Sequence, residues 1–135
     1  MRYQRTESPA LLNGHEAARR FFASCFADDD ASRERLWVAH VDAAAQCIHL
    51  DRYDGDLCSV GLSVRTIVAD AARLGSAGVV LAHNHPSGDS YPSMADCRVT
   101  RALIQAGEAL DLAVLDHLIF AVDGQCSSMR QMGLL

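Results

Sequence analysis

A chain of 135 residues, half of them apolar and 21% charged, has the length and balance of one globular domain with a single sizeable core. The formal net charge is −5 and no basic cluster is present, so charge does not support a nucleic-acid partner, although a local patch is not excluded. No apolar run reaches the roughly 18 residues of a membrane helix, which excludes a helical membrane span. The five cysteines are scattered and odd in number, with no secretory apolar region ahead of them, which predicts reduced thiols and a cytoplasmic location.

Residues 1–12 carry no periodic signal and are expected to form a flexible N-terminal arm, leaving 13–135 as one domain. Asn13 and Glu16 have the spacing of a capping box, followed by a helical stripe from Ala17 to Phe26. Leu36–Val41 and Gln46–Leu50 read as the two strands of a hairpin, with His40 and His49 expected on its solvent face. Leu57–Leu62 reads as a weak strand or loop, and Ser63 as the cap of a helix over 64–74 that Gly75 stops. Ala77–His83 is a Val-rich apolar run, a buried strand. Ser93 opens a long helix to about Leu110. Leu112–Ala121 is a further strand, interrupted at Asp116-His117, and Asp123-Gly124 turns it into a short return strand. The order predicts an α/β fold, a mixed β-sheet flanked by helices.

One stretch carries chemistry. The buried strand delivers His83 and His85 two residues apart, on the same side of an extended chain. Pro86-Ser87-Gly88 then breaks the strand, and Asp96 follows. Two imidazoles and a carboxylate suit a zinc ion that keeps an open position. The same residues have a second explanation. Ser93-x-x-Asp96 before an apolar run is also a capping box, and a His-x-His pair also occurs as hydrogen-bonded loop residues. Spacing alone leaves both open.

The run His83-Asn84-His85, seven residues, then Ser93-Met94-Ala95-Asp96 resembles the JAMM metalloprotease motif. His83-Asn84-His85-Pro86-Ser87-Gly88 with the later Pro92-Ser93-x-x-Asp96 is similar to the RadC-like JAB branch in particular. Further matches in order are Arg33-Glu34, Val41-Asp42, Gly55, Arg65, Thr100-Arg101 and Val114-Leu115-Asp116-His117. The branch has Asn between the histidines where the wider protease family has Ser or Thr, and this chain shares it. It departs at Thr66, where the branch usually has Glu.

The resemblance implies the JAB/MPN fold, an α/β sandwich similar to cytidine deaminases, although the deaminase signature is missing. It implies one zinc ion per chain held by His83, His85 and Asp96, an upstream glutamate as general base and Ser93 assisting. Of the upstream glutamates Glu7, Glu16 and Glu34, we assign Glu34, which enters the first strand. His117 and Ser87 are candidates for a supporting or substrate contact. The activity implied is a zinc-dependent metallopeptidase or isopeptidase using a metal-activated water on a peptide or protein substrate. The alternative is a weakly catalytic or non-catalytic metal-binding module associated with DNA repair or mobile elements. Longer members carry a helix-hairpin-helix region ahead of this domain, and the expectation here is the core domain without it. The oligomeric state is left open.

Overall fold

The structure, a computed structural model, describes residues 10–54 and 60–135. Strand β1 (Arg35–Val41) and strand β2 (Cys47–Asp54) form the predicted hairpin, with a register shift at His40/Val41. Strand β3 (Gly78–His85) lies on the other side of β1, antiparallel to it, so that Leu36 stands opposite His83. A crossover through helix α3 (Met94–Glu108) brings strand β4 (Ala113–Ala121) parallel to β3, and strand β5 (Cys126–Ser128) closes the edge. The sheet order is β2-β1-β3-β4-β5. With β3 at the centre and covered on both faces, its sequence is continuously apolar rather than alternating.

Strand alternation divides the core in two. Trp37, Ala39, Val80, Ala82, Leu118 and Phe120 face helix α1 (His15–Phe26), which buries Ala18 and Phe22 against them. Leu36, Val38, Val79 and Leu81 face the opposite side, where helix α2 (Val60–Leu74) and α3 contribute Ile67, Ala71, Val99 and Leu103. This is the expected α/β arrangement, a mixed sheet between helical layers.

Several local expectations are corrected. Gly14, not Asn13, precedes α1 as its cap, no side chain caps that end, and Glu16 pairs only loosely with Arg19, at 4.0 Å. Helix α2 begins at Val60, so Ser63 lies inside it and the strand expected over 57–62 does not extend past residue 59. The spacing of Val60, Val64, Ile67, Val68 and Ala71 continues the helical stripe back one turn, which outweighs Gly61. The remainder of that expected strand, residues 57–59, lies outside the described residues. Strand β4 runs unbroken through Asp116-His117. Its irregularity falls one residue earlier, where Val79 and Val80 pair with Val114 and Asp116 and leave Leu115 as the extra residue. Of the arm expected over 1–12, residues 1–9 lie outside the described residues, while Ala10–Leu12 are tied to the hairpin: Leu12 N–H donates to Ala45 O, Cys47 N–H donates to Ala10 O, and Leu12 is buried.

His40 is fully buried, against the expectation of a solvent face, because it alternates with Leu36 and Val38 toward α2. Its Nδ1 meets Ser76 Oγ at 2.8 Å, while its Nε2 has no partner among the described residues. Burial, with His49 alongside, pulls its pKa down to about 4. His40 is therefore neutral in the fold at pH values where the unfolded chain binds a proton, and stability must rise with pH across that window. The unfolding free energy is expected to fall by roughly 3 kcal/mol as pH drops from about 6.5 to 4. Urea unfolding across that range checks it, and a His40→Leu variant should show a shallower slope.

Candidate metal centre

The end of β3 and the start of α3 meet at the sheet's upper edge. His83 is fully buried and His85 half-buried, and both face the α3 side, as an i, i+2 pair on a strand must. After His85 the chain turns tightly, with Gly88 N–H donating to His85 O. Gly88 sits at φ +91°, a conformation that favours glycine, and the turn folds the Asp89 carbonyl back to 2.7 Å from His85 Nδ1. Asp96 lies in the first turn of α3 and is 2% exposed.

The two explanations left open for Asp96 hold together. Ser93 is the N-cap of α3: its Oγ accepts from Asp96 N–H at 3.0 Å, and its own N–H donates to Asp96 Oδ2 at 2.7 Å, a complete capping box. The same carboxylate places Oδ1 3.1 Å from His83 Nε2 and Oδ2 3.0 Å from His85 Nε2. Burial disfavours its charged form, but the two imidazoles and the Ser93 N–H more than offset this and hold its pKa well below the usual range.

Protons around the histidines can be assigned from their partners. Thr100 Oγ1 has one proton and gives it to Asp96 O at 2.8 Å, one helical turn back. It must then accept from His117 Nδ1, 2.6 Å away. His117 is fully buried, and desolvation keeps its pKa well below the ordinary value, so it is neutral with a bare Nε2. That atom, 2.7 Å from His83 Nδ1, accepts the His83 Nδ1 proton and so turns His83 Nε2 toward the Asp96 carboxylate. His85 donates Nδ1–H to Asp89 O, and in its neutral form presents a bare Nε2. The two Nε2 atoms stand 2.8 Å apart, both against the Asp96 carboxylate. A buried carboxylate facing two imidazole nitrogens is matched by positive charge between them, whether protons or a cation. Asp96 already raises the pKa of His85 in response.

This donor set fits a divalent cation. Imidazole nitrogens and carboxylate oxygens around zinc at about 2.0–2.1 Å lie roughly 3.3 Å from one another in a tetrahedron, close to the spacing found here. Glu34 completes the group: Glu34, His83 and His85 can each bring a ligand atom within 4.8 Å of the others. Its position follows from the strand register. With Leu36 opposite His83, Glu34 two residues earlier faces the same side of the sheet. Asn84, pointing to the other face, fastens the backbone on either side of it: Arg35 N–H donates to Asn84 Oδ1 at 2.7 Å, and Asn84 Nδ2 donates to Arg33 O at 2.8 Å.

The remaining candidates are placed as follows. Ser93 and Ser87 line an open cleft of about 650 Å³ with Glu34, His85 and Tyr91. His117 touches His83 and not the cleft. Asp116 does not orient the His117 ring; it accepts from the His117 and Arg130 N–H groups and from the Ser128 hydroxyl, pinning the C-terminal turn. Thr100 and Asn84 stand in the sequence only as matches to the family pattern, and their part in the site follows from the fold. The threonine's i+4 spacing from Asp96 was the available signal.

A family model of the RadC-like JAB domain matches residues 12–134. The chain belongs to the RadC-like JAB domain family. The mixed sheet of five strands and the three helices found among the described residues agree with a JAB/MPN domain. It is 44% identical over 82 residues to a UPF0758 protein of Chloroflexus aurantiacus, covering 61% of this chain and 35% of that one. It is 39% identical over 104 residues to a UPF0758 protein of Moorella thermoacetica, covering 76% of this chain and 45% of that one. The matched part thus spans less than half the length of these relatives. Among the described residues, no helix of this RadC-like JAB domain is long and apolar enough to cross a membrane.

Proposed function

We propose that the protein is a zinc-dependent hydrolase of the JAMM type, acting in the cytoplasm on a peptide or isopeptide bond of a peptide or protein substrate. The observation that carries this is the convergence of two imidazole Nε2 atoms on a buried carboxylate beside an open cleft, with Glu34 on the same face. His83, His85 and Asp96 would hold one ion per chain. Such an ion, when bound, supplies a Lewis acid that acidifies water and polarises a carbonyl.

The chain supplies the rest. Glu34 takes a proton from the attacking water and passes it to the departing amine. Ser93 Oγ accepts from Asp96 N–H within the capping box, so its own proton is left to donate to the developing oxyanion. His117, fixed by Thr100, holds the His83 ring with its Nε2 turned toward Asp96 and His85.

The test begins with protein purified without metal-affinity steps. Elemental analysis should find near-stoichiometric zinc, lost in His85→Ala, and the loaded protein should cleave peptide or isopeptide substrates. A folded wild type that stays metal-free in excess zinc would falsify the reading. Zinc without cleavage of any such bond would favour the metal-binding accessory module instead.

A further inference from the structure

On the α1 side of the sheet lies a second cavity, of about 290 Å³, that the proposed reaction does not use. It adjoins the open cleft, because His85 lines both. Its wall is largely apolar: Ala23 and Phe26 from the last turn of α1, Phe120 from β4, and Val122 just beyond that strand. Val122 is 61% exposed, an apolar side chain left uncovered beside the cleft. The charged lining consists of Arg19, Arg20 and Asp29.

These charges are not equally available. Asp29 is committed, its Oδ2 accepting from Trp37 Nε1 at 2.9 Å and its Oδ1 from Arg52 at 3.0 Å. Arg19 approaches only the exposed Glu16, at 4.0 Å, and Arg20 has no partner among the described residues. In a chain of net charge −5, the cavity therefore combines an apolar wall with two weakly committed guanidinium groups. That chemistry complements an apolar group carrying a carboxylate, which guanidinium binds in a two-pronged fashion.

We propose that this cavity is the subsite for the C-terminal residue of a peptide substrate. The apolar side chain of that residue packs against Phe26 and Phe120, and its free carboxylate binds Arg19 and Arg20. The assignment rests on the hydrolase function and narrows it. The amide C–N bond preceding the last residue breaks, water delivers oxygen to the carbonyl carbon and hydrogen to the amine, and an apolar amino acid leaves.

The probe is acetyl-Ala-Ala-Phe with a free carboxylate, compared with its C-terminal amide, titrated into the Glu34→Gln protein by calorimetry. The free acid should bind roughly tenfold or more tightly than the amide, as a charge-assisted hydrogen bond implies. Arg19→Gln with Arg20→Gln should bring the ratio near one, and Arg20→Gln alone should reduce it. Ala23→Trp, which fills the cavity, should weaken both peptides, with zinc content unchanged in every variant. Equal binding of acid and amide, or a preference that survives loss of both arginines, overturns the assignment. A wild-type protein that shows the carboxylate preference yet holds no zinc and releases no phenylalanine from the peptide sinks the hydrolase function and leaves the subsite standing.

Discussion

Replacing Asp96 by asparagine should weaken zinc binding by about two orders of magnitude or more while leaving α3 capped and folded. The amide oxygen can still accept from Ser93 N–H, as the carboxylate does at 2.7 Å, so the helix start survives. What disappears is the negative charge between His83 and His85. With its oxygen kept at Ser93 N–H, the new amide places its NH2 group against His83 Nε2, where it donates no electron pair to an ion. Two orders of magnitude correspond to about 2.7 kcal/mol, a modest demand for loss of an anionic ligand from a buried site. Competition with a chromophoric chelator measures the affinity, and circular dichroism checks the helix. Asp96→Ala separates the two roles, since it should lose the same affinity and about 1 kcal/mol of stability besides. An Asp96→Asn protein that holds zinc as tightly as wild type would remove Asp96 from the ligand set.

The sequence disclosed the ligand strand and the helix start because both are local patterns. The Val-rich run before His83 marks a central strand, and the two-residue period puts His83 and His85 on one face whatever the rest of the chain does. Ser93 and Asp96 are three apart, within reach of a capping box on any helix. Periodicity says which side a residue faces but not how deep that side lies. His40 departs from the expected solvent face for this reason: it alternates with Leu36 and Val38, and the face they share is covered by α2. Long-range register was equally hidden. Nothing local links Asn84 to Arg33 and Arg35, about fifty positions earlier, and the chain from Asp96 O through Thr100 and His117 to His83 exists only because α3 lies over β4. The cavity beside His85 was hidden too, since it joins α1 to the end of β4.

The antiparallel register makes Glu34 the sharpest test of chemistry apart from metal binding. Glu34→Gln keeps the side chain's length and leaves His83, His85 and Asp96 in place, so zinc content should stay near wild type. Cleavage should fall by about 10²- to 10⁴-fold, the usual contribution of a positioned general base. Asn84 offers a second way to disturb the same group without touching it. Its amide accepts from Arg35 N–H and donates to Arg33 O, and only a side chain carrying both an acceptor and a donor can hold the two at once. Alanine at 84 has neither group and would release the backbone around Glu34, and a misplacement of about 1 Å can cost up to 10²-fold in rate. The loss should appear in kcat and not in zinc affinity, because Asn84 faces away from His83 and His85. Glutamine at 84 should not rescue it, since the extra methylene shifts both groups out of register. Steady-state kinetics beside zinc analysis on the two variants decides the matter. Normal cleavage by Glu34→Gln would move the base elsewhere, and a metal-poor Asn84→Ala would show that the clamp supports the ligands instead of Glu34.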